Sequence, residues 1–251
     1  MDISIVIPAY NEETRIIPTL EKVYGYFASM GTEFEIIVVD DGSKDNTVEI
    51  VKQWQRTRKI PSPSRGEGRG EGAKEKTVKI ISHSANRGKG AAVRTGVLEA
   101  GGELILFSDA DLSTPIEEFE KLKKAVDDGY DIAIGSRGMG ESQIVVPQPW
   151  YRRYIGKIFP CLVRMMVLKD FRDTQCGFKL FKKEAGRALF EKLKTEGFAF
   201  DVEILYRAVR GNYRTNETPV LWINSPDSKV SMLNSPFKMF FALFIIRRIV
   251  K

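Results

Sequence analysis

Residues 107–115 read FSDADLSTP, so the apolar run Leu104, Ile105, Leu106 ends in two aspartates separated by one alanine. Like-charged carboxylates this close repel each other unless water or a cation sits between them. Asp109 and Asp111 are therefore either a solvated loop or a site for a hard divalent cation. Mg2+ or Mn2+ suits such oxygen ligands and shares its other positions with water and substrate phosphates. Residues i and i+2 of an extended backbone face one side. On that geometry both aspartates point into one crevice and Ala110 points away. The competing reading makes Asp111 a cap for a helix starting near residue 116 and leaves Asp109 merely solvated.

Three further polar clusters follow apolar runs: PAYNEE (8–13), DDGSKDN (40–46) and SANRGKG (84–90). In NRGKG, Gly88 and Gly90 free the backbone, Lys89 adds a cation, and a helix begins. Such turns present N–H groups to anions, although an exposed capping turn is the simpler alternative. Asp40 and Asp41 end an apolar run, where a carboxylate is suited to accept hydrogen bonds from a base N–H or from ribose hydroxyls. DDGS is also a good turn sequence, so one of the two is expected to serve the turn. The chain contains neither GxxxxGK[ST] nor GxGxxG after its first strand, which argues against P-loop and dinucleotide sites.

The elements that must position these clusters are read from periodicity. Strands are expected at 3–7, 35–40, 78–82, 104–108 and 131–135, alternating with helices near 13–29, 46–56, 89–100 and 116–128. Asp45 or Asn46 is a candidate cap for the second helix. Near-continuous apolar strands alternating with helices predict an α/β fold, a mostly parallel central sheet flanked by helices. The four polar clusters then emerge at the carboxyl ends of the strands, the edge where ligands bind in such sheets. Beyond 135, strands are expected at 176–181 and 218–224 and helices at 183–194 and 201–210. Residues 152–169 read as a basic-edged apolar helix broken by Pro160. Residues 56–76, rich in Gly, Pro and alternating charge, read as a solvated insertion. The C-terminal segment 235–251 is an apolar helix with basic residues at its end, either interfacial or buried in a core or oligomer contact.

With 251 residues the chain has ample material for a core, and its net charge of +6 favours anionic ligands or an anionic surface. The positive charge forms no aromatic-interleaved stripe, so no nucleic acid is expected as partner. One histidine and two cysteines without CxxC spacing exclude multi-histidine centres and zinc cages, and they fit a reducing cytoplasm. No apolar run reaches the ~20 residues of a membrane-spanning helix, and the first residues enter a strand pattern directly. Membrane contact is expected to be peripheral.

Taken together, IVIPAYNEE, VVDDGSKDNT, NRGKGAAVRTG and DADLSTP resemble the nucleotide-sugar-binding half of family-two glycosyltransferases with the GT-A fold. Downstream, IGSRG, DTQCGFKLF and EGFAFDVEILYRA resemble the branch acting on polyprenyl phosphates, specifically dolichyl-phosphate β-glucosyltransferases. The resemblance covers most of 2–230. It implies a single GT-A catalytic domain over 1–230, with a donor half (1–135) and an acceptor half (136–230). It also implies metal-dependent, inverting transfer of a hexose, glucose from UDP-glucose, to a dolichyl or polyprenyl phosphate at the cytoplasmic face of a membrane.

Carried over residue by residue, Pro8, Ala9, Tyr10 and Glu12 line the nucleotide pocket with Asp40 and Asp41, and Asp40 reads the base. Lys89 and Ala110 lie near the nucleotide, Asp109 near ribose and metal, and Asp111 is the direct metal ligand. Ser113 stands where mannosyl-transferring relatives carry glutamine, which tilts the sugar toward glucose. Arg137, Gln175, Asp201 and Lys229 match positions near the sugar and the acceptor phosphate. An anionic phosphate nucleophile needs no general base. The alternatives are GDP-mannose-dependent transfer to a polyprenyl phosphate, or a non-lipid acceptor with Asp201 or Glu203 as base.

Overall fold

The computed structural model describes residues 1–60, 76–144, 163–223 and 235–250. Nine strands and seven α-helices are labelled here. In order they are β1 (Ile3–Ala9), α1 (Ile16–Ser29), β2 (Phe34–Asp40), α2 (Thr47–Thr57), β3 (Lys76–Ser82), α3 (Lys89–Glu99), β4 (Leu104–Ser108) and α4 (Phe119–Asp127). They continue with β5 (Ile132–Ser136), β6 (Gln143–Ile144), β7 (Phe178–Lys182), α5 (Lys183–Glu191), α6 (Phe200–Arg210), β8 (Thr215–Pro219), β9 (Leu221–Trp222) and α7 (Ser235–Ile249). Most of the 56–76 insertion, the 152–162 part of the basic apolar helix, and Lys229 lie outside the described residues.

Seven strands form one sheet in the order β3-β2-β1-β4-β7-β5-β8. Neighbours pair in parallel except β7, which runs antiparallel to both β4 and β5. The mostly parallel α/β architecture is thus as expected. The expected strand over 218–224 is divided between two sheets. Residues 215–219 pair with β5, whereas 221–222 pair with β6.

Both faces of the sheet are covered, which is why β1, β2 and β4 read as near-continuous apolar runs. In β1, Ile3, Ile5 and Ile7 join the cluster beneath α1, α2 and α4, while Val6 joins the opposite cluster. In β4, Leu106 faces the first cluster, and Ile105 and Phe107 face the second. The pleat alternates these side chains through the sheet. Just before α2 the Asp45 carboxylate accepts the Thr47 N–H at 3.1 Å, while Asn46, in the cap position, makes no side-chain capping bond.

Helix α7 and the residue after it present one buried and one exposed face. Leu243, Ile246 and Val250 are buried in the second cluster, whereas Phe241, Phe244 and Ile245 are more than half exposed, next to exposed Arg247 and Arg248. No helix among the described residues is long and apolar enough to cross a membrane.

Candidate active site

β1 lies between β2 and β4: the crossover after β1 runs to β2 on one side and the crossover after β3 runs to β4 on the other, the switch point at which ligand crevices open at the carboxyl ends of such strands. The aspartate pair sits at this point, but its geometry differs from the expected extended one. The chain leaves β4 after Ser108 and turns: the Leu112 N–H donates to the Asp109 carbonyl at 3.2 Å, with Leu112 at φ 44°. The pleat argument therefore fails for 109–111: the pair sits in a turn, and both carboxylates lie near enough to Lys89 to act on its charge. Ala110 does point away: it is buried in the cluster beneath α1, and its carbonyl accepts the Thr19 hydroxyl at 2.6 Å. Asp111 accepts the Ser113 N–H at 2.9 Å, and the Ser113 carbonyl accepts the Ile223 N–H at 2.7 Å, which ties the turn to β9.

Gly177 makes room for Asp109. The Asp109 N–H donates to the Gly177 carbonyl at 3.0 Å, and a Cβ at 177 would lie 1.9 Å from Asp109 Oδ2. Any side chain there displaces the carboxylate.

The cation missing from the local sequence arrives from α3. Lys89 Nζ lies 2.7 Å from Asp109 Oδ1. Burial disfavours the Lys89 ammonium, but Asp109, Asp201 and Asp111 together outweigh it and hold its pKa above the usual lysine value. Behind this pair is a second one. Lys179 of β7, fully buried, contacts Asp201 Oδ1 at 2.6 Å. Burial pushes the Asp201 carboxyl upward, with Lys179 and then Lys89 opposing. The Phe107 ring carries both ammonium groups, at 5.3 Å from Lys89 and 5.7 Å from Lys179. Such contacts stabilise desolvated cations.

On the donor side, the four loops interlock. Asp40, buried at the end of β2, accepts the Ser43 N–H at 3.3 Å. Asp41 holds the neighbouring loops. Its carboxylate accepts the Arg87 N–H at 2.9 Å and the Gly88 N–H at 2.7 Å, and it pairs with His83 Nδ1 at 2.8 Å. Asp41 thus anchors the loop that delivers Lys89, and the only histidine is part of that anchor. Gly88 adopts φ 110°, and a Cβ there would meet the Glu196 carbonyl at 2.5 Å. Pro8 and Tyr10 are half-buried at the mouth of β1, and the Ala9 carbonyl accepts the Asp41 N–H at 2.8 Å. Glu12 is buried; its carboxylate pairs with Arg15 at 2.7 Å, and its backbone N–H donates to Thr47 Oγ1 at 2.8 Å, which ties the loop to α2.

Across the crevice, Arg137 extends from the end of β5. Its Nε and Nη2 meet Asp173 at 2.6 and 2.9 Å, and its guanidinium lies 5.6 Å from the Trp222 ring centroid. Burial opposes ionisation of Asp173, but Arg137 prevails and holds its carboxyl at about 2. Asp109 is near enough to Arg137 to help raise the arginine's pKa. The Gln175 N–H donates to Asp173 Oδ1 at 3.1 Å. Glu217 accepts the Asp173 N–H at 2.8 Å and the Ser136 hydroxyl at 2.7 Å, fixing the turn that bears Asp173. Burial lifts the Cys176 thiol to about 11, so it stays protonated and is no nucleophile.

Sequence reasoning brought Asp109, Asp111, Lys89 and Arg137 to this edge and missed Asp173, Lys179, Gly177 and Glu217. Lys179 carried a readable signal. A lysine flanked by Phe178 and Leu180 in a strand of a covered sheet needs a buried anion, and Asp201 opens α6 on the same side.

Among the described residues, no three carboxylate, histidine or cysteine groups form a ready-made metal cage. The two half-buried aspartates at 109 and 111 still fit a hard divalent ion, because Mg2+-type sites often use one or two carboxylates and complete their shell with water and phosphate oxygens.

The site thus lies at the carboxyl edge of a mostly parallel sheet, with acidic residues at the β4 end and Arg137 at the β5 end. Residues 4–190 match the model of glycosyl transferase family 2, and the chain belongs to that family. It is 36% identical to the dolichyl-phosphate beta-glucosyltransferase of Drosophila melanogaster over 98% of this chain and 74% of that protein. It is 35% identical to the human protein of the same name, with the same coverage of each. Among solved structures, glucosyl-3-phosphoglycerate synthase from Mycobacterium tuberculosis, in complex with Mn2+, UDP and phosphoglyceric acid, superposes with a TM-score of 0.65. That alignment covers 98% of this chain and 77% of the other at 17% identity, a likeness of fold.

Proposed function

We propose that the chain transfers glucose from UDP-glucose to the phosphate of a dolichol or polyprenol, with inversion, at the cytoplasmic surface of a membrane. The observation that carries this reading is that Asp109 and Asp111, with one negative charge in excess beside Lys89, stand at the same sheet edge as Arg137, whose guanidinium Asp173 holds in place. Asp111 and Asp109 would hold Mg2+ or Mn2+, with Ser113 alongside; the ion supplies Lewis acidity to the departing diphosphate. Asp40 is the residue assigned to the base, with Pro8 and Tyr10 beside the nucleotide. Asp173 keeps the Arg137 guanidinium fixed before substrate arrives, so its remaining donors meet the acceptor phosphate without reorganisation. Gln175 and Lys229 are assigned to the sugar and acceptor phosphate.

A phosphate acceptor is also favoured by what the carboxylates are doing. A hydroxyl acceptor would need a base, and both candidates are committed. Asp201 is paired with Lys179. Glu203, fully buried, accepts the Lys194 and Thr195 N–H groups and pairs with Arg207 at 2.8 Å. An anionic phosphate oxygen needs no such base.

The exposed Phe241, Phe244 and Ile245 beside Arg247 and Arg248 supply an apolar, basic face suited to anionic lipid. The relatives named for glucosyl transfer to dolichyl phosphate support the acceptor class. The test supplies labelled UDP-glucose or GDP-mannose, dolichyl phosphate and Mn2+ in parallel. Label from UDP-glucose is expected in the organic phase. Lipid labelled from GDP-mannose instead would transfer the assignment to the mannosyl branch, and a purely water-soluble product would refute a lipid acceptor.

A further inference from the structure

We infer that Lys89 is a resident counter-ion for Asp109 that makes divalent-cation binding conditional on the nucleotide diphosphate. This rests on the donor-site reading above and concerns how that site is loaded. Lys89 Nζ occupies Asp109 Oδ1 at 2.7 Å, one of the two carboxylates a divalent ion would use. A cation arriving alone must compete with that ammonium for the oxygen and sit beside its charge.

The ammonium is held in place on several sides. The Asp41 carboxylate pins the Arg87 and Gly88 N–H groups immediately before it, and the Ala91 N–H just after it donates to the Glu196 carbonyl at 3.1 Å. Phe107 lies against it, and Asp201 contributes attraction from behind. The Lys179–Asp201 pair is internally neutral, so the local balance is set by Asp109, Asp111 and Lys89, with one negative charge in excess. A divalent ion turns that into one positive charge in excess, and a bound diphosphate reverses the sign again. The diphosphate also offers oxygens to which the Lys89 ammonium can move when it releases Asp109.

The structure therefore couples the two ligands through a single side chain. Each lowers the electrostatic cost of the other, and neither loads well alone.

The test titrates Mn2+ into the full chain with and without UDP, following free Mn2+ by electron paramagnetic resonance, for the wild type and for Lys89→Met, Lys89→Arg and Arg87→Gln. In the wild type, UDP is expected to strengthen Mn2+ binding strongly. Lys89→Met removes the competing charge, so Mn2+ alone should bind on the order of tenfold more tightly and the enhancement by UDP should shrink. Lys89→Arg keeps the charge and should behave like the wild type. Arg87→Gln removes a more exposed charge whose side chain pairs with Glu196 at 2.7 Å, and it should change little. Circular dichroism establishes that each variant is folded.

If Mn2+ and UDP bind together in the wild type but Lys89→Met leaves the metal-alone affinity unchanged or weaker, the counter-ion inference fails and the donor-site reading stands. An equal gain in Lys89→Met and Arg87→Gln also overturns it, because the effect would then be one of net charge. If the wild type binds no Mn2+ even with UDP, both readings fail.

Discussion

Replacing Asp111 with alanine is expected to reduce glucosyl transfer by about 10²- to 10³-fold, the usual effect of deleting one electrostatic contact to a developing charge. Thermal unfolding should barely move. Asp111 is half-buried in a turn, and the bond it accepts from the Ser113 N–H is local. Losing one such bond costs about 1 kcal/mol. The loss should therefore appear in turnover and in Mn2+-dependent UDP affinity, and the folded state should be kept. Asp109 makes a less clean experiment, because its removal also releases Lys89. An Asp111→Ala enzyme with near-wild-type turnover would remove the β4 aspartates from the chemistry.

The second large effect concerns stability. Lys179→Met is expected to cost about 3–5 kcal/mol, since it strands the buried Asp201 carboxylate without its 2.6 Å partner. For a chain of this size that lowers the unfolding midpoint on the order of 10 °C. Both side chains are almost wholly enclosed, so solvent provides little screening. Combining Lys179→Met with Asp201→Leu should recover most of the loss, because apolar residues replacing both partners remove the desolvation cost together. Denaturation by urea checks the stability terms, and a single variant as stable as the wild type would show that the pair carries no such burden.

These two aspartates illustrate what the sequence made legible. Asp111 stood out because a carboxylate pair ending an apolar strand demands a reason, and three other polar clusters shared its edge. The strands of the parallel region were legible because burial on both faces leaves near-continuous apolar runs such as Ile5–Ile7 and Ile36–Val39. Pairing was not. Nothing local in residues 178–182 says that β7 inserts antiparallel between β4 and β5, since strand order is set by packing between distant segments.

The split of 215–222 across two sheets was hidden for the same reason, with the Val220 N–H still bonded to the Ser136 carbonyl at 3.2 Å where the strand changes partner. The arrangement of Asp109 and Asp111 was correctly located but wrongly derived, because the chain stops being a strand one residue before the pair begins. One of Asp40 and Asp41 was expected to serve a turn, and which loop Asp41 holds, through the Arg87 and Gly88 N–H groups, depended on a segment 46 residues away. The types of group at the site were legible from composition and order, whereas their partners depended on contacts such as Arg137–Asp173 that span 36 residues.

The most direct measurement is a crystal structure of the chain grown with UDP and Mn2+, with manganese located by its anomalous signal. The account predicts one manganese peak at the end of β4 on Asp111 and Asp109, the diphosphate bound to it, and the base nearest Asp40. Manganese elsewhere, or a UDP molecule whose diphosphate lies away from these two aspartates, would contradict it.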